Sequence, residues 1–124
     1  KHLRINWTEG EKHFRNCLLD FNKANNVAQW QWVAGCGADA APYFRIFNPI
    51  LQGEKFDKEG LYVKKWVTEL NKVPSKFIHK PWEMELKYQQ TINTLIGKDY
   101  PKPIVIHEEA RASALKAFQS LKKN

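Results

Sequence analysis

The chain has 124 residues, 43% of them hydrophobic, which suffices for one small domain with a modest core. Lysine and arginine number 20 against 13 acidic residues, and the resulting formal charge of +7 favours a polyanionic partner, of which nucleic acid is the commonest. A basic surface that serves only solubility is the alternative. No apolar run approaches the roughly 20 residues that cross a bilayer, so no membrane-spanning segment is predicted in this chain.

The chain begins with KHLRINW, without an initiator methionine and already inside a patterned segment. We therefore expect a fragment of a longer protein. No signal-peptide pattern is present. Cys17 and Cys36 show neither metal-type nor redox-type spacing, and reduced thiols in a cytoplasmic protein are the simplest interpretation.

Helical periodicity begins near the start of the chain. The letters TEGE fit a capping box in which Thr8 is the N-cap and Glu11 reaches back to its N–H. A second helix is predicted over residues 26–34, ending at the sequence GCG. Phe14, Cys17, Leu18 and Phe21 recur at i, i+3, i+4 and i+7, so the first helix has one apolar face.

The middle of the chain is less regular. Residues 36–60 are rich in proline and glycine, so mostly loop with short helical turns is expected. A third helix should start near Leu61 and end before Pro74, and a fourth should be closed by Gly97. Their buried sides are predicted to contain Val63, Trp66, Val67 and Leu70 in the third helix, and Tyr88, Thr91, Ile92 and Leu95 in the fourth.

The last helix is predicted from Glu108 and Glu109 to Lys122 and Lys123, since these charges suit the two ends of a helix dipole. The preceding letters YPKPIVIH should be extended, because prolines interrupt a helix. No hairpin, repeat or low-complexity signal is present. The predicted fold class is all-α.

Two tryptophans, Trp30 and Trp32, stand two residues apart in the second predicted helix. Residues two apart on a helix point about 200° away from each other, so the two indoles should face opposite sides. Asn26 lies four residues before Trp30 and shares its face. A ligand with ring nitrogens and carbonyls would suit that amide. The alternative makes Asn25 or Asn26 an N-cap, with both indoles in the core.

These residues belong to a block that resembles the C-terminal part of the flavin-binding domain in the DNA photolyase/cryptochrome family. The resemblance is closest to the class I bacterial enzymes that repair cyclobutane pyrimidine dimers. It runs the length of the chain, through NWTEGEKHF, WQWVAGCGADAAPYFRIFNPILQGEKFD, YVKKWVTEL, VPSKFIHKPWE and YPKPIVIHEEAR.

The resemblance implies that residues 1–124 form a partial FAD-binding domain, without the N-terminal domain that holds an antenna chromophore. In this family, light-excited reduced FAD passes an electron to the dimer and regains it after the ring splits. The implied partner is UV-damaged DNA, and the implied parent is a cytoplasmic monomer. The fragment alone is expected to bind FAD weakly or not at all, to show no repair, and to self-associate through uncovered apolar surface.

On the cofactor side, the resemblance places Asn26 beside flavin N5, where an amide stabilises reduced flavin. Asp20 matches the first acid of a flavin-contacting D-x-D stretch, and Asn22 replaces the second. That replacement removes a negative charge but keeps hydrogen-bonding capacity, so it should affect redox tuning more than binding. Phe14 and Phe21 are expected to line the cofactor pocket.

The resemblance also assigns the tryptophans. Trp30 and Trp7 correspond to the inner and middle members of a chain that photoreduces oxidised flavin, and the outermost member would lie outside this sequence. For Trp7, a hydrophobic staple beside a helix start is the alternative. Trp32 corresponds to the platform for the flipped dimer, which offsets lost base stacking.

Arg45 and Lys55 align with cations that hold DNA phosphates on either side of the lesion. Lys64 and Lys65 are expected to lie on an exposed helix face. His13 and Cys17 have no second pair of ligands nearby, so no metal site is predicted. His79 and His107 are interpreted as structural, and Cys36 as a small hydrophobic residue.

Two other functions stay open at this point. One is a cryptochrome-like photoreceptor on the same scaffold, against which Asn26 and Trp32 argue. The other is a basic helical module that binds nucleic acid without flavin.

Overall fold

A computed structural model describes residues 1–38 and 45–121. This part of the chain is helical and contains no strand, which confirms the all-α prediction. Its six α-helices are α1 (Trp7–Cys17), α2 (Lys23–Ala34), α3 (Pro49–Phe56), α4 (Leu61–Trp66), α5 (Leu86–Thr91) and α6 (His107–Leu121). Short 3₁₀ turns between α4 and α5 cover Thr68–Leu70, Ser75–Phe77 and Pro81–Glu83. The chain divides into two compact units, the first made of Lys1–Ile46 with Val105–Asn124 and the second of Phe47–Ile104.

In the first unit, α1 begins differently from the prediction. The N-cap is Asn6, whose side chain accepts a hydrogen bond from the N–H of Thr8, so Thr8 is not the cap. Glu11 then lies beyond the first turn, on the side of the helix that is buried. The predicted capping box is therefore wrong, because the helix starts earlier than the TEGE pattern suggests.

Helix α2 starts earlier than predicted, at Lys23, because Asn22 is its N-cap and accepts from the N–H of Asn25 at 3.0 Å. The helix ends at Gly35, whose left-handed φ of 84° suits glycine and confirms the predicted stop at GCG. The alternative in which Asn25 or Asn26 caps the helix is wrong. Both tryptophans of interest lie within α2.

The second unit packs around Leu70, Val73, Ile78 and Met84. Gly60 adopts φ +67° directly against this core, where an added Cβ would lie 2.5 Å from the side chain of Ile78. Buried Gln89 crosses the unit: its side-chain amide donates to the carbonyl of Met84 at 2.7 Å and accepts from the N–H of Ile96 at 2.9 Å.

In the second unit, one segment agrees with the prediction and the next differs from it. Helix α3 is a short helix within residues expected to be mostly loop with short helical turns, and Asn48 caps it while Pro49 takes its first position. The third predicted helix ends at Trp66, since Val67 leaves helical geometry and a 3₁₀ turn carries the chain to buried Leu70. Trp66 is consequently 64% exposed rather than buried.

The fourth predicted helix is also shorter, because α5 ends at Thr91 rather than at Gly97. Asn93 follows with a positive φ of 56°, which is incompatible with continuation of the helix, and Tyr88 within α5 is exposed rather than buried. Residues 101–106 contain no helix, as the prolines predict, and α6 starts at His107, one residue before Glu108 and inside the segment predicted to be extended. Lys122 and Lys123, predicted at its end, lie outside the described residues.

Candidate functional site

A pocket of about 440 Å³ lies beside helices α1 and α2, and we call it the α1–α2 pocket. Its apolar side chains come from both helices, while amide and carboxylate groups come from the α1–α2 connection and α2. Such a mixture suits a flat aromatic ligand with polar edges. The lining residues are Phe14, Leu18, Asp20, Asn22, Asn25, Asn26, Gln29, Trp30 and Val33.

Asn26 is the most constrained polar residue of this pocket. It is 7% exposed, and its side-chain nitrogen donates to the backbone carbonyl of Glu11 at 2.9 Å and to the Glu11 carboxylate at 3.1 Å. Both partners are acceptors, so the amide nitrogen must face α1. The amide oxygen of Asn26 is therefore the atom left to meet a ligand as a hydrogen-bond acceptor.

Glu11 is a residue of the site that the sequence interpretation missed. Only 5% of it is exposed, and its carboxylate forms a 2.7 Å ion pair with Arg15, one turn further along α1. A buried carboxylate needs such partners. The spacing of Glu11 and Arg15 was the available signal, because charged residues four apart on a helix are neighbours.

The other residues predicted to contact a cofactor are distributed as follows. Phe14, Asp20 and Asn22 line the α1–α2 pocket together with Asn26. Asn22 is also the N-cap of α2, since its side-chain oxygen accepts a hydrogen bond from the first turn of that helix. Phe21 is not among the residues that line the pocket, although it lies in the same connection.

Trp30 borders two cavities. It lines the α1–α2 pocket and also a larger groove of about 1030 Å³, which Trp7 lines as well. The indole packs edge-on against Phe14, with ring centroids 5.2 Å apart. It also lies directly over Gly10 of α1, where a Cβ would come within 2.1 Å of the ring. The indole therefore packs against Phe14 and Gly10 of α1 and borders both cavities, and Trp7 borders the larger one.

Trp32 is placed differently. It is 42% exposed and lines neither the α1–α2 pocket nor the larger groove. The prediction that Trp30 and Trp32 face different ways on one helix agrees with this arrangement, and the alternative with both indoles in the core is wrong.

The two predicted phosphate-binding cations belong to different units. Arg45 is exposed in the first unit, and its backbone carbonyl accepts a hydrogen bond from the Lys1 ammonium. Lys55 is exposed in the last turn of α3, in the second unit, with Nζ 5.0 Å from the ring centroid of Phe56.

Residues 1–38 and 45–121 contain no group of three or more His, Cys, Asp or Glu side chains arranged to hold a metal ion. The Sγ of Cys17 lies 3.8 Å from Nδ1 of His13, as an isolated pair. Among the described helices, none combines the length and apolar character needed to cross a membrane.

A family model described as the FAD binding domain of DNA photolyase matches residues 1–120. A deoxyribodipyrimidine photo-lyase from Agrobacterium fabrum is 55% identical over 99% of this chain, and that match covers 26% of the relative. The enzyme of the same name from Escherichia coli is 49% identical over 99% of this chain and is covered to 25%. The chain therefore spans about a quarter of the length of these relatives.

Solved structures are similar over the same range. The crystal structure of a class III photolyase from Agrobacterium tumefaciens is 55% identical, with a TM-score of 0.93, and covers 100% of this chain and 26% of its own. Its class differs from the class I indicated by the sequence resemblance. A cryptochrome from Synechocystis sp. PCC6803 is 34% identical, with a TM-score of 0.87, over 94% of this chain and 24% of its own.

Proposed function

We propose that this chain, which belongs to the family of the FAD binding domain of DNA photolyase, forms the flavin-facing and lesion-facing quarter of a longer deoxyribodipyrimidine photolyase. The longer enzyme would bind UV-damaged DNA in the cytoplasm as a monomer, with an antenna chromophore held by another domain. The observation that carries this proposal is the amide of Asn26, fixed by Glu11 and placed with Trp30 on one pocket.

The α1–α2 pocket fits the ring system of FAD. Phe14 and Trp30 supply aromatic walls, and Asn26 supplies an acceptor whose direction is set by its two bonds to Glu11. An acceptor at this place favours a protonated ring nitrogen, which reduced flavin has and oxidised flavin lacks. Asp20 and Asn22 supply polar contacts at the rim. Holding the rest of FAD would fall to the remainder of the longer protein.

When bound, reduced FAD supplies the light-driven electron that splits the dimer. The residues of this chain have three tasks around that chemistry. Asn26 stabilises the reduced state of FAD. Trp30 passes electrons between the α1–α2 pocket and Trp7, since Trp30 lines both cavities. Trp32 offers an exposed indole on which the extruded pyrimidine dimer can stack.

The DNA-facing part of the proposal is electrostatic. The chain carries a formal charge of +7, and Arg45 and Lys55 are both exposed. Each cation that neutralises a phosphate releases condensed counterions, so binding should weaken as salt rises. The lesion itself would be recognised by Trp32, and the backbone on either side by these two cations.

A second candidate is a cryptochrome-like photoreceptor, which the similarity to the Synechocystis cryptochrome favours. A third is the flavin-free nucleic-acid module that the charge of the chain suggests. Repair separates the first two, because only a photolyase converts dimers back to thymines under blue light. Flavin separates the third, since a flavin-free module would be colourless.

The decisive experiment uses the complete polypeptide that contains this chain. We expect a yellow protein whose flavin absorption bleaches under blue light with a reductant, and which restores thymines in an oligonucleotide that carries one cyclobutane dimer. It should also bind irradiated DNA more tightly than intact DNA in a gel-shift assay. A colourless complete protein, or a yellow one without repair, would contradict the proposal.

A further inference from the structure

The segment 79–80 in the second unit contacts α3 and its C-cap at three residues. The ring of His79 lies against Gly53, where an added Cβ would come within 2.4 Å of Nδ1. Nε2 of His79 lies 2.7 Å from the backbone oxygen of Asp57, the residue that ends α3. Next to it, Nζ of Lys80 forms a 3.0 Å ion pair with Glu54. The helix is therefore fixed along one side and at its C-terminal end.

The contacts of His79 and Lys80 with α3 differ in how much they stabilise the attachment. A backbone carbonyl only accepts, so Nε2 of His79 must carry the hydrogen and donate it to Asp57. This bond is partly buried, whereas the pair between Lys80 and Glu54 is a surface pair and contributes little. His79 is therefore the main attachment of α3 at this end.

Asp57 extends the attachment beyond α3. Its carboxylate accepts hydrogen bonds from the N–H groups of Tyr62 and Val63 at 3.1 and 3.2 Å, at the start of α4. Because Val63 packs against the core of the second unit, the C-terminal end of α3 is coupled to that core. His79 adds a further hydrogen bond to the same residue, because its Nε2 donates to the backbone oxygen of Asp57.

Lys55 lies on the helix that these contacts hold. It is two residues after Gly53 and so points about 200° around α3, away from the His79 ring. Its own Nζ has a ring contact with Phe56 and stays exposed. The direction of the Lys55 side chain therefore depends on the orientation of α3, which the contacts on the other side of the helix fix.

We propose that His79 is a positioning residue for DNA binding, which fixes α3 so that Lys55 meets a phosphate of the DNA backbone. This inference rests on the proposed function, in which Lys55 contacts DNA. The sequence interpretation regarded His79 as structural only. The geometry indicates that His79 also orients α3, because His79 contacts one face of this helix and Lys55 lies on the opposite face.

The test compares two amides at position 79 in the complete, FAD-loaded protein. In His79→Gln the side-chain nitrogen reaches the place of Nε2 and can still donate to Asp57. In His79→Asn it reaches only the place of Nδ1 and cannot. Binding to a duplex with one cyclobutane thymine dimer, and to the intact duplex, is measured by fluorescence anisotropy over a series of salt concentrations.

Lys55→Met provides the reference and should reduce the slope of log affinity against log salt by about one, on both duplexes. We expect His79→Asn to lose part of that affinity and slope, and His79→Gln to keep both. In the Lys55→Met background, His79→Asn should cause no further loss. Lys87→Met, an exposed lysine of α5, is the matched control for a generic loss of charge.

Equal losses from His79→Asn with and without Lys55 would overturn the inference. So would a His79→Gln variant as weak as His79→Asn. Should His79→Asn fail to fold, Gly53→Ala tests the same contact from α3, because the added methyl displaces the ring while His79 remains. Failure of the proposed function looks different, since the unmodified protein would then neither prefer dimer-containing DNA nor repair it.

Discussion

The side-chain nitrogen of Asn26 donates to two acceptors of one residue, the backbone oxygen of Glu11 at 2.9 Å and its carboxylate at 3.1 Å. These two hydrogen bonds link α2 to α1 and fix the amide in the absence of a ligand. Pre-set polar groups lower the cost of binding, since little ordering is left to do when the ligand arrives. The orientation of Asn26 is thus a property of the fold.

The first prediction concerns Glu11→Ala. It leaves a hydrogen of the buried Asn26 amide without an acceptor, and hydrogen bonds to charged groups contribute about 1.5–3 kcal/mol. We expect the free energy of unfolding, measured with urea, to fall by about 2 kcal/mol. Glu9→Ala, on the exposed side of the same helix, should cost less than about 1 kcal/mol. Equal losses would show that Glu11 acts only as a helix charge.

A second prediction follows from the packing of Trp30 on Gly10. In an open helix, Gly→Ala stabilises by about 0.5–1 kcal/mol, but here the new Cβ would lie 2.1 Å from the indole. Overpacking of this kind costs about 1–3 kcal/mol. Gly10→Ala should therefore lower the thermal midpoint. The smaller ring of Trp30→Phe should relieve the clash, so the double variant should be more stable than the sum of the two single losses implies. Simple additivity would contradict the contact.

The third prediction concerns electron transfer, and it rests on the proposed function. Trp30→Phe should strongly slow the reduction of bound flavin by light in the complete protein, since phenylalanine gives up an electron far less readily than tryptophan. Trp7→Phe should slow it as well. Repair by chemically reduced enzyme should remain. Trp66→Phe, an exposed tryptophan of the second unit, is the control and should change neither rate. A normal photoreduction rate in Trp30→Phe would exclude the relay.

Much of the architecture could be predicted because the relevant forces are local. The helical period, the glycine at the end of α2 and the prolines before α6 each act within a few residues. Asn26 and Trp30 share a pocket for the same reason, since residues four apart on a helix share a face.

One miss depends on a contact that is distant in sequence, and two depend on the residue at which a helix ends. The sequence pattern predicts Glu11 as a capping residue, whereas in the structure its carboxylate accepts a hydrogen bond from Asn26 of α2. Trp66 fitted an apolar face that ends when Val67 leaves helical geometry, which the pattern of side chains does not reveal. Phe21 has the correct spacing for the face of α1, but α1 ends at Cys17.

A fourth prediction concerns pH. Nε2 of His2 lies 2.8 Å from Nδ1 of His107 at the start of α6, and such a bond needs one unprotonated nitrogen. Loss of solvation and the nearby His107 lower the pKa of His2 from its ordinary 6.5. The folded state therefore resists protonation, and between that lowered pKa and 6.5 the unfolded chain binds more protons.

Stability should consequently fall as the pH drops through 6.5 and should be fully recovered above it. Urea unfolding at a series of pH values between 5 and 8 measures this. His2→Gln should flatten part of the pH dependence. An unaltered slope in His2→Gln would show that the histidine pair is not the cause.

The fifth prediction concerns lesion recognition by Trp32, which is 42% exposed and lines neither described cavity. A base that leaves the duplex loses its stacking partners, and an aromatic side chain returns about 1–3 kcal/mol per base. Trp32→Ala in the complete protein should therefore weaken binding to dimer-containing DNA by roughly tenfold to a hundredfold, while binding to intact DNA stays nearly the same. Trp32→Phe should recover part of the loss.

The control for Trp32 is Trp66→Ala, which removes an indole of greater exposure from the second unit. It should leave the preference for damaged DNA intact. The salt dependence adds a second criterion, because Trp32 carries no charge and its loss should not alter the slope. If Trp32→Ala lowers affinity for damaged and intact DNA by the same factor, the indole serves general binding and the proposed site for the extruded dimer is wrong.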